Sequence, residues 1–128
     1  METRRHNPSI GIYEATPDYI HALEVRNPSR FLYVSGTMGL DDKGGPGKTL
    51  ADQLDLIWAN LRTILGSADM TVANIVRITS YLRDPSYAEE NQKARIAALE
   101  GHVVPTTAIV AQTLVDDWLV EIEIVAAA

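Results

Sequence analysis

Residues 49–65, TLADQLDLIWANLRTIL, decide the fold class. Seven of their apolar side chains are Leu50, Leu54, Ile57, Trp58, Leu61, Ile64 and Leu65. Steps of three and four residues place all seven on one stripe of an amphipathic α-helix. Thr49 stands where a hydroxyl caps the free N–H groups of a first turn, and Asp52 suits the positive end of the helix dipole. Gly66 is the expected stop. A helix with one apolar stripe must bury it against another layer, and the flanking segments supply strands.

Upstream, residues 19–25 (YIHALEV) and 31–34 (FLYV) read as strands around the turn-forming RNPSR at 26–30, which predicts a hairpin between them. Ser35-Gly36 is expected to end the second strand. Downstream, residues 75–82 (IVRITSYL) are rich in β-branched side chains and predict a strand. Asp84-Pro85 opens a second helix that runs to about Leu99 and stops at Gly101. Residues 106–112 and 118–125 (WLVEIEIV) complete the pattern, with a turn at Asp116-Asp117. The order is β-β-α-β-α-β-β, an α+β architecture with the helices on one face of a single mixed sheet.

That leaves the other face of the sheet uncovered. On the last strand Ile122 and Ile124 point one way, while Leu119, Glu121, Glu123 and Val125 point the other. Strands with apolar side chains on both faces predict self-association through the open face.

At 128 residues the chain is one domain, with residues 1–10 expected to be a short polar arm. It has no cysteine, which excludes disulfides, thiolate metal sites and a cysteine nucleophile, and fits a cytoplasmic setting. No stretch approaches the ~20 apolar residues of a membrane span. A formal net charge of −6, with scattered basic residues, argues against nucleic acid as a partner.

Few motifs carry chemistry. The loop GGPGKT at 44–49 lacks the first glycine of a phosphate-binding loop, because Asp42 occupies that position and would repel phosphate. His6, His21 and His102 lack metal-pair spacing, so no metal is expected. His21, on the first predicted strand, is a candidate binding residue because imidazole titrates near neutrality. Asn91 shares a helix face with Tyr87, Ala94 and Ala98, and an amide in an apolar stripe needs a partner, either structural or a ligand. Glu121 and Glu123 share one strand face about 7 Å apart. A carboxylate in a cleft between chains can position water or accept a proton.

Several segments together resemble the Rid (reactive intermediate deaminase, YjgF/RidA-like) family. They are residues 19–25, the VSG at 34–36, QLDLIWANLRTIL, VRITSYLRD at 76–84 and the carboxy-terminal VEIEIVAAA. Their order and spacing, from about Tyr19 to Ala128, carry the resemblance. It implies a chorismate-mutase-like fold, a homotrimer with a central barrel, and sites in clefts between subunits. It implies hydrolysis of small imines or enamines to a keto acid and ammonia, without metal or cofactor. It implies that Tyr19, Gly36 and Asn91 line the site and that Glu121 positions the hydrolytic water. One element of the pattern is missing. The family's deaminating branch carries a carboxylate-gripping arginine two residues after a proline, and aligning Pro105 places Thr107 there. No arginine follows Arg95. The resemblance therefore implies a substrate other than 2-aminoacrylate. The alternatives are a non-catalytic trimer that binds a small metabolite in the same cleft and, given the acidity less readily, a ribonuclease.

Overall fold

A computed structural model describes residues 1–128. Its strands are β1 (Glu2–His6), β2 (Ala22–Arg26), β3 (Phe31–Met38), β4 (Ile75–Leu82), β5 (Thr106–Val110) and β6 (Val120–Ala127). Its helices are α1 (Leu50–Ser67) and α2 (Ala88–Leu99). The mixed sheet has the order β3-β6-β4-β5. β6 runs antiparallel to β3 and β4, and β5 runs parallel to β4.

Alternation sorts the sheet into two faces. Val120, Ile122, Ile124 and Ala126 of β6 are buried, as are Ile78, Ser80 and Leu82 of β4. The apolar ones form one core with Leu54, Ile57, Trp58, Leu61 and Leu65 of α1 and Ala98 and Leu99 of α2. The stripe expected in residues 49–65 is thus the buried face of α1. Leu61 is fully buried in mid-stripe. Leu61→Ala should lower the unfolding free energy by about 3 kcal/mol, since its cavity cannot collapse fully. An unchanged urea midpoint would refute that placement.

Three local expectations change. β2 pairs with β1, from Glu2↔Arg26 to His6↔Ala22, and not with β3. Residues 2–6 of the expected arm therefore form a strand. The cause lies at the far end of the chain. Ser29 and Arg30 both donate backbone N–H groups to the carbonyl of Ala128, whose own N–H donates to Arg30. These bonds dock the start of β3 beside β6, with Phe31 opposite Ala127. β3 also continues past Ser35-Gly36 to Met38, through an irregularity between Val34 and Thr37. Finally, α1 runs through Gly66. The left-handed residue that ends it is Asp69 (φ 54°), with the N–H of Met70 donating back to Leu65.

The other caps follow the sequence. The Thr49 side chain accepts from the N–H of Asp52. Asp84 accepts from Ser86 in a 3₁₀ turn over Pro85–Tyr87, immediately before α2. Glu100 and Gly101, both left-handed, close α2. No helix is long and apolar enough to cross a membrane.

Candidate functional site

The sheet face turned away from the helices carries the polar half of each alternating strand. Arg77, Thr79 and Tyr81 come from β4, and Glu121, Glu123 and Val125 from β6. The register puts Thr79 opposite both Thr107 and Glu123, and Tyr81 opposite both Ile109 and Glu121. Residues directly opposite share a face. Tyr33 of β3, opposite Val125, completes the face.

Gly36 and Glu121 meet on it. A Cβ built on Gly36 falls 1.9 Å from Oε2 of Glu121 and 2.8 Å from its Cδ. Any side chain at position 36 would thus take the volume that the carboxylate occupies. Glu121 enters none of the chain's ion pairs. Its neighbour is differently placed: the Tyr81 hydroxyl donates a short hydrogen bond to Oε1 of Glu123. That bond, then burial, then the two glutamate charges push the Tyr81 hydroxyl up from its ordinary pKa, against the opposing influence of Arg77. Gly36 also lines a cleft of about 570 Å³ between β3 and α1, with Tyr33, Met38, Asp41 and Asn60.

Tyr19 and His21 form a second group, in the segment leading into β2. The His21 ring stands edge-on to Tyr13 at 5.1 Å and to Tyr19 at 6.0 Å. Its Nε2 lies 2.9 Å from the Tyr13 carbonyl, and its backbone N–H donates to Asn7. Aromatic packing and both hydrogen bonds hold the imidazole in place. His21 lines a cleft of about 360 Å³ between the β1–β2 ribbon and the sheet, together with Leu23, Val25, Arg77, Pro105 and Val125.

Thr107 lies on the edge strand β5, and its hydroxyl accepts a 3.2 Å hydrogen bond from Nη2 of Arg77. Sequence reasoning missed Arg77 and Tyr81. The signal was present in IVRITSYL, where alternation places Arg77, Thr79 and Tyr81 on one face. Asn91 does not join either group. It lies in the helical layer on α2, buried, with its Oδ1 lacking a hydrogen-bond partner.

Within one chain, therefore, Gly36 meets Glu121, Tyr19 meets His21, and Thr107 reaches the His21 cleft through Arg77. Thr107 and Glu121 are two strands and two residues apart, about 12 Å between Cα atoms. No group of three or more His, Asp or Glu side chains is arranged to hold a metal ion.

Two helices layered on a mixed β3-β6-β4-β5 sheet, with a polar open face, define the chorismate-mutase-like α+β class. The family model described as Endoribonuclease L-PSP matches residues 12–128, and the chain belongs to this family, that of the Rid and YjgF proteins. It is similar to the crystal structure of YyfB from Yersinia pestis, described as a protein of unknown function of the conserved Rid family. The identity there is 28%, with 100% of both chains covered and a TM-score of 0.87. A putative endoribonuclease L-PSP from Entamoeba histolytica is 26% identical, covering 99% of this chain and 100% of its own, with a TM-score of 0.73. Rv2704 from Mycobacterium tuberculosis, a YjgF/YER057c/UK114 family member, shares the fold at 22% identity. It covers 99% of this chain and 100% of its own, with a TM-score of 0.70. No curated protein matches the chain.

Proposed function

We propose that this protein is a cofactor-independent hydrolase of a small imine or enamine other than 2-aminoacrylate. It acts in clefts between the subunits of a cytoplasmic homotrimer. The observation that carries the reading is the Glu121 carboxylate, seated against Gly36 and free of any cation. An unpaired carboxylate is a competent base for water. Water adds to the C=N carbon while Glu121 takes its proton. That proton passes to the nitrogen to give the carbinolamine, and Glu121 then carries the hydroxyl proton to the nitrogen as the C–N bond breaks, so that a ketone and ammonia leave. Tyr19, His21 and Thr107 shape the cleft, and Asn91 supports it from α2. Thr107, in place of an arginine, supports a substrate held differently from 2-aminoacrylate.

The open face supports a second copy as its cover. Tyr33 is 75% exposed, Phe31 is exposed two residues away on the same strand face, and Ile109 is exposed on that face at the opposite edge of the sheet. Apolar and aromatic side chains grouped on an uncovered sheet are the usual mark of an interface. The net charge of −6 disfavours the ribonuclease reading.

The test is ammonia release from freshly generated imines of several amino acids, with sedimentation equilibrium on the same samples. Glu121→Gln should lower turnover by at least about 100-fold with the trimer intact. Turnover unaffected by Glu121→Gln would sink the assignment, and a monomer mass would sink the intersubunit cleft. A trimer that releases no ammonia from any imine yet binds keto acids would instead be a metabolite-binding protein. The Thr107 substitution favours that second reading.

A further inference from the structure

The other arginines with tertiary roles are occupied. Arg26 pairs with Glu24, Arg83 with Asp116 and Arg95 with Asp18, while Arg30 and Arg62 donate to backbone carbonyls. Arg77 differs. It projects from the middle of the sheet's open face, enters no ion pair, and donates only to the hydroxyl of Thr107. In a chain of net charge −6, a guanidinium left without a carboxylate at the mouth of a cleft is an unfilled anion position.

Its surroundings narrow the ligand. The cleft of about 360 Å³ beside Arg77 is lined by Leu23, Val25, Pro105 and Val125, with His21 its only other titratable residue. His21 already spends Nε2 on the Tyr13 carbonyl. One cation above an apolar wall fits a small monoanion with an aliphatic tail, in the manner of small-ligand sites with few polar groups. Thr107 stands outside that lining but against the guanidinium, where it can act as a second donor. Because its oxygen accepts from Arg77, its own O–H points elsewhere and is available to a carboxylate oxygen.

We propose that Arg77, with the Thr107 hydroxyl, is the residue that selects the substrate of the proposed site. The substrate class is an imino acid with an aliphatic side chain, gripped by its carboxylate from β4. This rests on the hydrolase reading for the word substrate, but the anchoring itself does not. The planar guanidinium supplies two parallel donors that lysine cannot copy.

The test is calorimetric titration at low salt with 4-methyl-2-oxopentanoate, pyruvate and the uncharged 4-methyl-2-pentanone, against four proteins. The first is the wild type. It should bind 4-methyl-2-oxopentanoate at least about 10-fold more tightly than pyruvate, from the extra buried methyl groups, and more tightly than the neutral ketone. Arg77→Gln should lose at least about 10-fold of that affinity, and Thr107→Val a smaller factor. Circular dichroism melts check that each variant is folded, and Arg77→Lys, which keeps the charge on a similar stem, should fall between wild type and Arg77→Gln. Equal affinity of Arg77→Gln and wild type would overturn the proposal, as would equal binding of the acid and the neutral ketone. If binding depends on Arg77 but no imine is hydrolysed, the anchor stands and the hydrolase reading falls. If hydrolysis proceeds while binding ignores Arg77, the reverse holds.

Discussion

Asp18→Ala is expected to cost about 3–5 kcal/mol of unfolding free energy, because it strands a buried guanidinium. Arg95 on α2 is 5% exposed. Its Nη2 lies 2.6 Å from Oδ2 of Asp18, and its Nη1 donates to the Asp18 backbone carbonyl at 2.9 Å. The contact spans 77 residues and fastens the segment before β2 onto the helical layer. Removing one partner of such a pair is worse than never having had it, since the remaining charge has no water to return to. The pair also sets an acid limit. Burial alone would raise the Asp18 pKa, but hydrogen bonds from Thr16, Arg95 and Gln92 outweigh it and hold the group at about 2, below its ordinary 3.8. A carboxylate depressed in the folded state contributes its full stability above the unfolded pKa and loses it as pH falls through the folded one. Wild-type stability should therefore fall between about pH 4 and pH 2 by more than that of Asp18→Asn. Urea midpoints at pH 7, 4 and 2.5 measure both effects. A wild-type loss on acidification no larger than in Asp18→Asn would refute the linkage, and a midpoint at pH 7 unchanged by Asp18→Ala would refute the pair's role.

The same long-range contacts explain where reading the sequence succeeded and where it did not. The α1 stripe was legible because a helix answers to residues three and four apart, and those lie within its own seventeen letters. The final strand was legible by alternation for the same reason. Pairing is another matter. YIHALEV and FLYV, joined by a Pro-containing turn, look like a hairpin on any local rule. Yet the start of β3 is placed by the carbonyl of Ala128, 99 residues from Ser29. No window around the turn contains that information. The end of α1 shows the smaller version of this failure. Gly66 is a good stop on propensity, but the packing of Leu65 and Met70 carries the helix one residue past it.

The site was legible in a different measure. Glu121 and Glu123 were readable as a same-face pair, although only cross-strand geometry separates them, one against Gly36 and the other bound by Tyr81. Gly36 and Glu121 are 85 positions apart in sequence and were joined beforehand by family resemblance rather than by spacing. Thr107 has no guanidinium of its own, and the resemblance alone makes it the arginine position. That its neighbour on β4 lends one required the register Thr79↔Thr107, which a sequence does not carry. Asn91 reads from the sequence as an amide in an apolar helix stripe, and its place in the helical layer, apart from both groups of site residues, depends on packing that a one-dimensional stripe does not carry.

Gly39→Ala is expected to cost more than about 3 kcal/mol, although glycine here holds no unusual torsion. The reason is contact. Gly39 is buried where the end of β3 crosses the first turn of α1. A Cβ there would lie 2.5 Å from both the Cα and the carbonyl oxygen of Gln53, and 2.6 Å from its Cβ. These are backbone and near-backbone atoms of a helix, so no rotamer change relieves the clash, unlike the flexible carboxylate that faces Gly36. Nor can Gln53 withdraw. Its Nε2 donates to the carbonyls of Gly47 and Asp117, at 2.9 and 2.8 Å, and its Oε1 accepts from the N–H of Leu119. One buried amide thus ties the loop after β3 and the turn before β6 to α1, and those two strands bring Gly36 and Glu121 together. Alanine at 39 must push this junction apart, so loss of the proposed hydrolysis should accompany the loss of stability. Gly66→Ala is the matched control. Gly66 lies inside α1 with nothing within 4 Å of an added Cβ, so alanine there should gain up to about 1 kcal/mol in helix propensity. Chemical denaturation of the two variants beside wild type should give shifts of opposite sign. A Gly39→Ala protein as stable as wild type would mean that α1 and β3 pass at a greater distance than the fold described above requires.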